Sequence, residues 1–168
     1  MADTKKVQAS SDTEGGDTPF RGSFFHSLDD KGRVSLPATF RSALNELDQS
    51  KVILTNFISD GARCVEGFSL DSWSIFEGKL RERSRFDPRI QKLENFYLAR
   101  SCECQLDSSG RINIPQYLRI YGGLTRELVF TSTLRGFRIW DKRVWELIFS
   151  DAEKALLEDP ALFMDLDI

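Results

Sequence analysis

The side chains best placed for chemistry are two arginines that each follow a glycine in an aspartate-containing turn. Arg33 follows Gly32, with Lys31 on the other side of the glycine and Asp29 at the start of the turn; Arg111 follows Gly110, with Ser109 and Asp107 in the matching places. An arginine fork at an exposed tip can take guanine O6 and N7 together, and a lysine adds a flexible charge suited to phosphate. The same spacing also lets Arg33 bridge to Asp29, and Arg111 to Asp107, across each turn. Both uses are open to the arginines at this point, and Ser109 leaves the second tip without the lysine that strengthens the first.

No catalytic constellation accompanies them. There is no Ser/His/Asp set, no glycine loop to cradle a phosphate, and no carboxylate pair outside the turns. His26, the only histidine, alternates inward on a strand and matches the position of Cys104. Cys102 and Cys104 stand where the other copy of the pattern has Phe24 and His26, so they read as core residues. No second Cys or His cluster completes a zinc tetrahedron around them. Three cysteines cannot all pair within one chain, which favours free thiols in a reducing compartment. The expectation is a protein without enzyme activity, metal, cofactor or small-molecule substrate.

The turns sit in a repeat. Leu28-Asp29-Asp30-Lys31-Gly32-Arg33-Val34-Ser35-Leu36-Pro37-Ala38-Thr39-Phe40-Arg41 aligns without gaps on Leu106-Asp107-Ser108-Ser109-Gly110-Arg111-Ile112-Asn113-Ile114-Pro115-Gln116-Tyr117-Leu118-Arg119. After small offsets Val52 to Thr55 matches Leu128 to Thr131, and Phe68 to Trp73 matches Trp140 to Trp145. Two copies of one supersecondary unit are therefore expected.

Alternation at Phe24, His26 and Leu28, then at Val34 and Leu36, predicts a β-hairpin around the first turn. Cys102, Cys104 and Leu106, then Ile112 and Ile114, predict its counterpart. Gly32 and Gly110 suit a left-handed turn position, and Pro37 and Pro115 suit a helix start. The first helix gains one apolar face from Phe40, Ala43, Leu44 and Leu47, and Gly122 and Gly123 cut the second short. Arg41 and Arg119 fall on these helices, where a carboxylate of the hairpin could hold them.

A strand over Lys51 to Phe57 or Glu127 to Thr133 comes next, then one near Cys64 to Phe68 or Phe137 to Trp140, then a longer helix. Trp73, Phe76 and Leu80 share a face in the first such helix; Trp145, Ile148, Ala152 and Leu156 share one in the second. Between the copies Pro88 opens a helix with Ile90, Leu93, Phe96 and Tyr97 inward. The boundaries are a disordered extension over 1–18, repeats over 20–87 and 88–149, and an acidic tail over 150–168.

The chain has 168 residues, 40% hydrophobic and 29% charged, which is ordinary for a globular protein. Its net charge of −3 argues against a polyanionic partner only until the charges are located. The two termini hold 10 acidic and 3 basic residues, so Pro19 to Phe149 retains 20 basic against 16 acidic. The stretch holding Lys79, Arg81, Arg83, Arg85, Arg89 and Lys92 reads as solvated helix faces, with auxiliary phosphate contacts as the alternative. No apolar run approaches the roughly 20 residues of a membrane span, and the N-terminus lacks the apolar segment of a signal peptide. A cytoplasmic protein with no membrane partner is expected.

A half-barrel of four short strands has too little core to stand alone, so the two units should intertwine into one closed barrel that hides its edges. The doubled Leu-Asp-x-x-Gly-Arg-x-x-x-Pro-x-x-x-Arg pattern, preceded by Phe20-Arg21-Gly22, resembles the MraZ family over about Phe20 to Phe149. The resemblance implies an α+β, β-rich fold of two tandem AbrB-like units with swapped hairpins and peripheral helices. It also implies a nucleoid-associated transcriptional regulator that forms rings and binds direct repeats of double-stranded DNA in the promoter of its own division and cell-wall gene cluster. By the same resemblance Arg33 is the DNA-contacting arginine and Arg111 its counterpart. An antitoxin-like interaction module without promoter binding is the alternative.

Overall fold

The computed structural model describes residues 20–166, so the N-terminal extension expected over 1–18 lies outside the described residues. In chain order the elements are β1 (Ser23–Ser27), β2 (Arg33–Ser35), α1 (Ala38–Glu46), β3 (Lys51–Ser59), β4 (Ala62–Phe68), α2 (Leu70–Arg81) and α3 (Pro88–Phe96). The second copy supplies β5 (Cys102–Gln105), β6 (Arg111–Asn113), α4 (Gln116–Tyr121), β7 (Glu127–Ser132), β8 (Phe137–Asp141) and α5 (Lys142–Glu158). The class is α+β with a mainly antiparallel sheet core.

Strand pairing crosses between the copies. A six-stranded sheet runs β1-β7-β8-β4-β3-β5, and a separate two-stranded ladder joins β2 to β6. Thus β1 completes the second copy's β7 and β8, β5 completes the first copy's β3 and β4, and β4 meets β8 at the middle. The expected hairpins close only at their turns: Asp29 N donates to Arg33 O at 2.9 Å, then β1 and β2 pair with different strands. Alternation is the same whether neighbours pair with each other or with a distant copy, so the sequence pattern is satisfied by both. The expected closed barrel is also not what the hydrogen bonds form. β1 and β5 remain edges of the large sheet, and β2–β6 is a ladder of its own.

Exchange gives the copies one shared core. Val34, Leu36, Phe40 and Leu44 pack with Ile112, Ile114 and Leu118, while Phe20 lies 5.0 Å from the Phe40 ring and 5.2 Å from Phe137. Each such side chain contributes roughly 1.5–3 kcal/mol on full burial, and the cluster draws on both copies. A second cluster of Ile53, Phe68, Trp73 and Tyr97 lies under α2 and α3. There the Tyr97 hydroxyl donates to Glu66, whose carboxyl is pushed up by burial.

Helix starts follow their caps. Pro37 and Pro115 occupy the residue before α1 and α4, Ser69 caps α2, and Asp87 and Asp141 cap α3 and α5. Phe40, Ala43 and Leu44 are buried as expected, whereas Leu47 is exposed at the end of α1. α5 departs more strongly from expectation. Trp145 packs on Trp140 at 6.0 Å, but Ala152 and Leu156 are exposed and no residue of the helix is buried. Its apolar face extends beyond what this chain covers. No helix among the described residues is long and apolar enough to cross a membrane.

Candidate nucleic-acid interface

Each glycine turn is organised by its aspartate. Asp29 Oδ1 accepts from the amides of Lys31 at 2.9 Å and Arg33 at 2.8 Å, and Asp29 Oδ2 accepts from Arg33 Nε at 2.8 Å. Asp107 repeats this with the amides of Ser109 at 2.8 Å and Arg111 at 3.0 Å, and with Arg111 Nε at 2.9 Å. The following arginine's amide, above all, holds each carboxyl below its ordinary range, so both are ionised near neutrality. The bridge expected from spacing is therefore present in both turns. It engages only Nε, and the two terminal nitrogens of Arg33 and Arg111 have no hydrogen-bond partner among the described residues.

The β2–β6 ladder sets where these arginines point. Arg33 pairs with Asn113, Val34 with Ile112 and Ser35 with Arg111. Val34 and Ile112 face the core, so Arg33, Ser35, Arg111 and Asn113 share the outward face. Arg33 and Arg111 are diagonal neighbours on that face, with Cα atoms separated by roughly 7–8 Å. Instead of two separate tips, the structure presents one ribbon with an arginine near each end. Lys31 is exposed beside it, and no ion pair holds Lys31 among the described residues.

Gly32 and Gly110 have φ of +81° and +71°, a region that disfavours side chains. Each is also covered by the other copy's arginine. A Cβ on Gly32 would lie 2.8 Å from Arg119 Cζ, and one on Gly110 would lie 2.4 Å from Arg41 Cδ. Arg119 Nε donates to Ile114 O at 2.9 Å, and Arg41 Nη1 reaches Ser109 O at 3.4 Å. Contrary to expectation, no carboxylate among the described residues holds these arginines; backbone carbonyls and the opposite turn hold them instead. Pro37 and Pro115 release the chain from the ladder into the helices that carry Arg41 and Arg119.

Ser35 and Asn113 were not singled out by motif, although alternation from Val34 and Ile112 places them outward. Arg126 is another addition: its carbonyl accepts from Leu28 N at 2.8 Å, which sets an exposed arginine beside the entry to the first turn. In the helical stretch, Arg81 bonds Glu77 at 3.3 Å and Arg89 bonds Asp87 at 2.7 Å, consistent with solvated faces. His26 is half-buried, edge-on to Phe130, and its pKa is lowered by burial and by Arg41.

Fold and site together define an internally duplicated, strand-exchanged α+β protein that presents a basic two-stranded ribbon. The family model described as "MraZ protein, putative antitoxin-like" matches residues 20–96 and 98–166. The chain is 33% identical over 126 residues to a transcriptional regulator MraZ of Proteus mirabilis, covering 75% of this chain and 82% of that protein. It is 37% identical over 132 residues to a transcriptional regulator MraZ of Acetivibrio thermocellus, covering 79% and 87%. The chain belongs to the MraZ family.

Proposed function

We propose that this protein is a sequence-specific, non-enzymatic transcriptional regulator that lays the β2–β6 ribbon into the major groove of double-stranded DNA. The carrying observation is the engagement of Arg33 and Arg111 through Nε alone. Asp29 and Asp107 fix each side chain's direction and leave the terminal nitrogens free to take guanine O6 and N7. On this reading bridge and contact are one device. The major groove admits a two-stranded ribbon, and Lys31 adds a phosphate contact at the first turn. The names of the Proteus and Acetivibrio relatives support a regulatory role.

One ribbon makes few base contacts, so affinity rises by assembly. We place the protein on direct repeats in the promoter of its own gene cluster as a homo-oligomeric ring, cytoplasmic and nucleoid-associated. Adjacent ribbons then engage adjacent repeats at high effective concentration. Titrating the full chain with its own upstream duplex and with a scrambled duplex at fixed salt tests the reading. Tight binding to the first alone supports it; equal binding to both, or to neither, overturns it in favour of an antitoxin-like interaction module.

A further inference from the structure

We propose that Cys102 and Cys104 form a thiol-oxidation site, which a hydroperoxide converts to an intrastrand disulfide that distorts the strand leading into the second glycine turn. Proximity is the first support. Both side chains leave the same face of β5, and their Sγ atoms lie 3.7 Å apart, against about 2 Å when bonded.

Position is the second. β5 is an edge strand paired only with β3, Cys104 opposite Val52 and Cys102 opposite Leu54. Residues two apart on an extended strand have Cα atoms roughly 6.4–6.8 Å apart. That is the upper limit of the ~4.4–6.8 Å that a disulfide spans, so closure draws the strand out of full extension. An edge strand has one ladder to surrender. Leu106, whose amide donates to Ser50 O at 2.9 Å, and then Asp107 follow directly, so the distortion reaches the carboxylate that aims Arg111.

Reactivity is the third. The two thiols are in contact, either able to donate to the other, and Cys102 also lies 3.7 Å from Leu54 O; the contact with Cys104 lowers the Cys102 pKa and favours its thiolate. The same bond, with burial, pushes Cys104 up. Cys64 has no such neighbour; burial pushes it up to about 12, which makes it an internal control.

The chemistry balances. The Cys102 thiolate attacks the hydroperoxide and breaks its O–O bond, giving a sulfenic acid and an alkoxide that takes up the proton as alcohol, or as water from hydrogen peroxide. Cys104 loses its proton and attacks the Cys102 sulfur; the S–O bond breaks and hydroxide leaves as water. Two thiols lose two electrons, and the peroxide gains them.

The effect on DNA rests on the proposed function, whereas the disulfide does not. The full chain is treated with a few equivalents of hydrogen peroxide, denatured in iodoacetamide, digested and mapped by mass spectrometry. The expected product is a peptide in which Cys102 and Cys104 are unalkylated and two hydrogens are lost, with Cys64 fully alkylated. Alkylation of both, oxidation of Cys64 at an equal rate, or an intermolecular disulfide overturns the site. Once the bond has formed, specific DNA affinity should fall at least tenfold, recover with dithiothreitol, and resist peroxide in a Cys102→Ser/Cys104→Ser variant. A disulfide with unchanged affinity overturns the coupling to the turn. A reduced protein that binds no DNA overturns the proposed function while the mapped disulfide stands.

Discussion

Arg119 of the second repeat lies across Gly32 of the first, so close that a Cβ on the glycine would sit 2.8 Å from the guanidinium carbon. Arg41 covers Gly110 in the reverse direction. Each copy thereby braces the other's turn, and the ribbon between the turns is held from both ends.

Gly32→Ala and Gly110→Ala should destabilise the fold by more than backbone strain alone. Gly61 is the reference, because its φ of +74° is similar but nothing lies within 4 Å of an added Cβ. Gly61→Ala should cost about 1–2 kcal/mol, the strain of a left-handed alanine. The ribbon glycines should cost more, since an arginine must also move. Thermal melts read the difference, with roughly 2–4 °C per kcal/mol at this size. Equal shifts at all three positions would show that the arginine contacts contribute nothing.

Much of this was legible in advance. The doubled motif located both turns, the prolines marked both helix starts, and the inward positions of Val34, Phe40 and Ile112 followed from period alone. The partners of the strands were not legible. β2 pairs with β6 across the chain, and three-residue strands carry too little pattern to show that mate in advance. Nor was the reach of Arg41, which finds Ser109 68 positions away. The face of α5 was visible as amphipathic, but nothing in its periodicity says how little of that face this chain covers. Among candidate site residues, the motif placed Arg33 and Arg111 after the turn glycines; their common face was hidden until the ladder was known.

Asp29→Ala gives a test of sign. Removing a negative charge beside a polyanion should tighten binding if charge alone matters. If Asp29 aims Arg33, the variant binds specific DNA more weakly and discriminates less against scrambled duplex, while its melt shows it still folded. Anisotropy titrations at fixed salt separate the two, and tighter specific binding would remove Asp29 from the positioning role.

His26 should make stability fall as the solution is acidified through neutrality. Burial and Arg41 lower its folded pKa below the ordinary value of 6.5, so the unfolded chain protonates first and is favoured as pH drops through that value. Relative to His26→Phe, the protein should lose stability as the pH falls through 6.5. Denaturant midpoints at a series of pH values check this, and parallel curves for the two proteins would refute it.

Assembly should govern affinity. Light scattering should give a mass of several chains, and duplexes carrying one, two and three repeats should bind with steeply rising affinity. Exposed apolar side chains on α5, Leu147 at 72% and Leu157 at 76% among them, offer surface beyond what one chain uses. A monomer, or equal affinity per repeat, would remove the ring from the account.

The most direct measurement is a titration of specific and scrambled duplex with Arg33→Ala, Arg111→Ala and the double variant, after circular dichroism has shown each to be folded. Each single change should cost specific binding about 1–3 kcal/mol, about 5- to 150-fold, with Arg33→Ala the more severe because Lys31 works beside it. The double variant should bind both duplexes alike. Specific binding that survives in the double variant would contradict the assignment of the β2–β6 ribbon as the reading surface.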